Sequence, residues 1–179
     1  MRNSTFAVLA SFLIFAPSLA SAQAPTDATR LSAAETQAEV AKAGQQGISD
    51  HIVRNVDAGP YNVAAAIVIR RLASGSGKAI GNVGGALAHG KITEIYYVLR
   101  GSGVQVTGGK LVDAKAQAGG GATGPGSSGS GIDGGHDTQL GAGDTLIIPP
   151  NVPHMWRSIG SEGVDYIVYR VDPEHLLKK

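Results

Sequence analysis

The stretch His89-Gly-Lys-Ile-Thr-Glu94-Ile-Tyr-Tyr-Val-Leu-Arg-Gly101 sets a carboxylate five residues after a histidine, at the entry to a strongly apolar run. An acid entering such a run is costly to bury unless a cation or hydrogen bonds meet it. Side chains alternate across a strand, which puts Glu94, Tyr96 and Val98 on one face. Residues 95–99 are apolar at consecutive positions, so both faces need cover: a barrel interior on one side, and a helix, sheet or partner subunit on the other. A second stretch, Gly143-Asp-Thr-Leu-Ile-Ile-Pro149-Pro-Asn-Val-Pro-His154-Met-Trp156, uses a rigid Pro-rich turn to deliver a histidine into the next strand.

Around these two stretches the pattern is one of short strands. Residues 52–56, 63–70, 94–99, 104–107, 145–148, 155–159 and 164–171 are rich in Val, Ile and Tyr, with Gly, Pro, Asn and Asp between them. That spacing predicts an all-β sandwich or barrel. One helix precedes them: Ser32-Ala-Ala-Glu35 has capping-box spacing, Ala-rich sequence continues to Ala43, and Gly47 ends it. Its apolar face (Leu31, Ala38, Val40, Ala41) is thin and calls for something larger to pack on. Residues 118–135 are nearly all Gly, Ser and Ala; they are expected to form a mobile surface loop, with a lid over the site as the functional alternative. Their glycine spacing is irregular and no GK[ST] follows, so they are no phosphate-binding loop. Residues 173–179 form a C-terminal tail for which a short helical turn is open.

The chain of 179 residues suits a single domain. Fifteen Lys and Arg against fourteen Asp and Glu give a formal charge of +1, so no basic field speaks for nucleic acid. The absence of cysteine excludes disulfides, thiolate metal sites and a cysteine nucleophile. Residues 1–22 read as a secretory signal peptide: Arg2, an apolar run from Phe6 to Phe15, Pro17, and Ala20-Ser21-Ala22 as the cleavage pattern. The mature protein is therefore expected to be periplasmic or secreted and free of the membrane. Residues 23–47 form a linker and the helix, and 48–172 the main domain.

Together the two stretches resemble the paired motifs of the cupin superfamily. His89-x4-Glu94-x6-Gly101 fits the first, with Gly81 a poor match to its leading glycine. Gly143-x5-Pro149-x-Asn151-x2-His154 fits the second, with Ser158 where Asn is usual. The resemblance implies a cupin-type double-stranded β-helix (jelly-roll) barrel with a short N-terminal helical extension. It places metal ligands on His89, Glu94 and His154, while Leu87 stands where a further histidine is usual. Two imidazoles and a carboxylate suit Fe, Mn, Ni, Zn or Cu rather than Ca. His136 is a conceivable replacement ligand. A cupin that keeps the three residues as a metal-free polar cluster is the alternative.

Tyr96 and Trp156 are in phase with Glu94 and His154 and should line the cavity, with ordinary core packing as the other reading. Tyr96 is the tentative catalytic acid or hydrogen-bond donor. Lys91, Arg70 and Arg170 read as solvated or as marking the solvent boundary, the latter two in preference to meeting an anionic substrate. His51 and His175 have no evident companion. By resemblance, the function is that of an exported, metal-dependent dioxygenase, lyase or isomerase acting on a small organic molecule, and the assembly a homodimer. The runner-up is a non-catalytic cupin holding a sugar or another small ligand.

Overall fold

A computed structural model describes residues 26–73 and 77–178; the expected signal peptide at 1–22 lies outside the described residues. One helix, α1 (Ala33–Gln46), precedes eleven strands: β1 (Asp50–Asp57), β2 (Asn62–Arg70), β3 (Ala86–His89), β4 (Thr93–Thr107), β5 (Lys110–Val112), β6 (Lys115–Gln117), β7 (Gly126–Gly129), β8 (Gly131–Asp133), β9 (His136–Gly141), β10 (Thr145–Ile148) and β11 (His154–Asp172). The helix begins as its sequence predicts. Ser32 Oγ accepts a hydrogen bond from the Glu35 amide at 3.2 Å, and Gly47 closes it at φ 69°.

All strand pairs are antiparallel. The backbone of the fold is the long ladder between β4 and β11, running from Thr93↔Val171 to Thr107↔His154 with irregularities between Ile159 and Val164. Opposite that irregularity Gly101 takes φ 78°, and a Cβ on it would lie 2.0 Å from the Gly163 carbonyl oxygen. Only glycine lets the two strands meet there. β2 and β1 extend the ladder beyond β11, and β9 and β10 flank β4, which closes the jelly-roll.

Both faces of the apolar strands are used, as the consecutive apolar residues predict. Val68, Tyr96, Val98, Leu140, Ile148, Trp156, Tyr166 and Val168 form one core cluster. On the opposite face of β2, Ile67 and Ile69 pack with Val53, Ile167 and Ala43 of α1, so the helix finds its larger partner there. Ile52, Ala64, Ala66, Ile92 and Leu177 make a third cluster.

Residues 118–135 depart from the loop expectation. Positions 126–129 and 131–133 are strands, and β7 pairs with both β3 and β6. Side-chain composition misleads here because the segment is held through its backbone. A Cβ at Gly126 would sit 2.1 Å from the Ala88 carbonyl oxygen, so the missing side chain is what allows this pairing. The C-terminal tail is a turn without helix, and its Leu177 is 2% exposed.

Candidate metal centre

His89 ends β3, Glu94 opens β4 and His154 opens β11, so three separate strand ends deliver the cluster. β3 is fixed beside β11 by the Leu87↔His154 bridge, and the Asn151 amide donates to the His89 carbonyl at 2.7 Å. One ligand atom from each of the three lies within 4.8 Å of the others, and all three side chains are buried. Glu94 Oε1 is 3.6 Å from His89 Nε2, and Glu94 Oε2 is 3.3 Å from His154 Nε2.

The proton on His154 can be placed. Its Nδ1 lies 3.0 Å from the Val152 carbonyl, which only accepts, so Nδ1–H donates. In its neutral form His154 then faces the Glu94 carboxylate with the lone pair of Nε2. Two acceptors facing one another at this distance call for a cation or a proton between them.

The carboxylate is held from behind. Arg170 Nε donates to Glu94 Oε1 at 2.8 Å, and its terminal nitrogens donate to Asp50 at 2.6 and 3.0 Å and to the Ala122 carbonyl at 2.9 Å. Burial pushes the Glu94 carboxyl up, but Arg170, His89 and His154 outweigh it and bring it down to about 2. Burial draws the His89 imidazole below its ordinary value against the opposing pull of Glu94. The Tyr96 hydroxyl donates to Glu94 Oε2 at 3.1 Å. Burial and the Glu94 charge hold that phenol well above its ordinary value, so Tyr96 serves as a donor and not as a base.

A family model described as Cupin matches residues 86–177, just over half of the chain. The chain belongs to the cupin family. No curated protein matches it in sequence. Among solved structures it is similar to an oxalate decarboxylase at 19% identity and a TM-score of 0.40, covering 69% of this chain and 25% of that one. FeII HppE follows at 12% and 0.40, covering 68% and 49%. KdgF from Halomonas sp. stands at 17% and 0.38, covering 70% and 79%. The cupin thus spans about a quarter to a half of the first two structures it resembles.

The remaining sequence expectations sort clearly in this cupin. Tyr96 and Trp156 line the cavity at the cluster, and both also belong to a core cluster. Leu87 lines the same cavity. His136 is exposed on β9, and Gly126, not His136, sits against β3. His51 meets Glu39 at 3.0 Å, and His175 meets Asn62 at 2.9 Å, so neither joins the cluster. Lys91 pairs with Glu174 at the surface, 2.8 Å away. Arg170 overturns the solvent-boundary reading: it is 2% exposed and bound to two carboxylates. Its phase with the buried Tyr166 and Val168 was the available signal. Arg70 is half-buried, lines the cavity and donates to the Ser49 and Ile69 carbonyls. Asp50 had no local signal, since only the fold brings it 120 residues back to Arg170.

Proposed function

We propose that His89, Glu94 and His154 hold a divalent transition metal (Fe, Mn, Zn, Ni or Cu) and that the protein is a metal-dependent enzyme acting on a small organic molecule. The observation that carries this reading is the convergence of buried His89, Glu94 and His154, with Glu94 Oε2 3.3 Å from His154 Nε2 and the Nδ1 proton of His154 committed to Val152. The donor set fits: two imidazoles and a carboxylate kept ionised. Such a metal would act as a Lewis acid on a carbonyl, enediol or carboxylate oxygen, in dioxygenase, lyase or isomerase chemistry.

The chain's own residues have distinct parts in this scheme. Val152 fixes the His154 tautomer. Arg170 and Asp50 hold the Glu94 carboxylate in place from the side away from Tyr96. Tyr96 keeps its proton at Oη, donated to Glu94 Oε2 until a bound substrate takes the hydrogen bond or the proton. Leu87 replaces a possible fourth donor with an apolar wall, which leaves coordination space for substrate.

A second reading, a non-catalytic cupin that holds a sugar or other small ligand, is favoured by one observation. Arg170 already supplies Glu94 with a counter-charge. Metal analysis separates the two. Protein reloaded with Mn, Fe, Ni, Cu or Zn should take up close to one equivalent, and His154→Ala and Glu94→Gln should lose most of it while staying folded. A wild type that takes up none, or variants that bind equally well, would favour the metal-free binder.

Two wider features belong to the proposal. The signal-peptide pattern of residues 1–22 supports export to the periplasm or beyond. N-terminal sequencing of the native protein should begin at Gln23, and a chain retaining residues 6–15 would exclude cleavage. The row Ile147–Ile95–Tyr169 across β10, β4 and β11 exposes Ile147 by 63% and Tyr169 by 38%, beside Tyr97 at 43%. An apolar row of this kind supports a homodimer through the outer face of the barrel.

A further inference from the structure

We propose that Gln105 binds the organic ligand of this site, and that this ligand is a small carboxylate of about six heavy atoms. The inference rests on the metal reading above and adds the residue and the ligand class.

Gln105 lies on β4, paired with Trp156 of β11 and Thr138 of β9. Its side chain is 0% exposed, and neither Oε1 nor Nε2 has a hydrogen-bond partner among the described residues. Leaving such a group unpaired is unfavourable, so a buried orphan amide calls for a partner from outside the chain. Gln105 forms part of the wall of the cavity that His89, Glu94 and His154 also line. The cavity holds about 160 Å³. That is close to the ~150 Å³ known to admit a benzene-sized molecule, which sets the ligand at about six heavy atoms.

Charge selects the ligand further. Arg70 also lines this cavity, and its Nε–H is buried without a partner among the described residues. Around the wall, the guanidiniums of Arg70 and Arg170 balance the carboxylates of Asp50 and Glu94. A divalent metal therefore leaves two positive charges uncompensated, which favours an anion. A carboxylate can accept from the Gln105 amide and the Arg70 Nε–H, while Gln105 Oε1 can accept from a neighbouring ligand hydroxyl.

The test compares lactate with lactamide, its neutral isostere, by calorimetry on the Mn(II)-loaded protein. Lactate should bind, and lactamide at least about tenfold more weakly. Gln105→Met should weaken lactate at least about tenfold with Mn(II) stoichiometry unchanged. Because the substitution removes an unpaired amide, its ligand-free Tm should equal or exceed that of the wild type. A purely structural glutamine would instead lower Tm and leave lactate affinity alone, which overturns the assignment. So does a Mn(II)-loaded wild type that ignores lactate at about 10 mM, ten times a millimolar Kd, or that binds lactamide equally well. A wild type that takes up no Mn(II) removes the metal reading and this one with it, and is told apart by the metal analysis alone.

Discussion

Two sets of buried polar groups sit side by side on β11, and they are satisfied differently. In the first, the Trp156 indole N–H donates to the Tyr166 hydroxyl at 3.1 Å, and the neutral pair closes on itself within an apolar cluster. In the second, Asp50, Arg170 and Glu94 form a charged chain in which Arg170 makes hydrogen bonds to both carboxylates. That chain does not close. Its far end is Glu94 Oε2, which accepts from Tyr96 and lies 3.3 Å from His154 Nε2. Neutral groups finish the core, whereas the charged ones hold a carboxylate ionised and leave one side of it available for chemistry.

The contrast makes unequal demands on stability. Arg170→Met should cost the most, about 3–5 kcal/mol, because it strands Glu94 and part of Asp50 as uncompensated charge. Urea denaturation at neutral pH measures it, and a loss below about 1 kcal/mol would show that the charged chain is dispensable. Tyr166→Phe should cost less, about 1–3 kcal/mol, since it leaves the Trp156 N–H unpaired in the core. An unchanged midpoint there would mean that the indole finds another acceptor.

Acid sets the two regions apart without a mutation. The Glu94 carboxyl lies at about 2, below its ordinary 4.5. Its contribution is therefore complete above pH 4.5 and is lost as the pH falls from there toward 2. In metal-free protein, Glu94→Gln should flatten this part of the stability profile, while Tyr166→Phe should only lower it uniformly. A Glu94→Gln profile as steep as that of the wild type would assign the acid response elsewhere.

How much of this was legible in sequence follows the range of the contacts. His89, Glu94 and His154 announce themselves because each belongs to a local motif, and alternation along one strand is enough to put Tyr96 beside Glu94. Arg170 carried the same alternating signal as Tyr166 and Val168, but a charged residue near a strand end reads most simply as solvent-facing. Asp50 and Gln105 have no local signature, since their roles exist only once β1, β4 and β11 are assembled. The glycine-rich segment fails for another reason. Composition gauges what side chains can bury, and β7 is held by backbone pairing to β3.

Shortening residues 119–131 sharpens that last point. Loop-closure entropy alone allows a change of about 1 kcal/mol or less. Because β7 braces the strand that ends in His89, the loss should exceed this, and metal uptake should fall with it. A shortened protein with full stability and full metal binding would return the segment to a simple surface loop.

The central claim is that a metal sits between the two imidazoles and Glu94. X-ray absorption at the metal edge of zinc-loaded protein tests it most directly. The expected shell holds two imidazole nitrogens at about 2.0–2.1 Å and carboxylate oxygen at about 2.0–2.2 Å, with the imidazole scattering of the little zinc left in His154→Ala cut to that of one imidazole. A shell of oxygen alone, or one unchanged in His154→Ala, would contradict it.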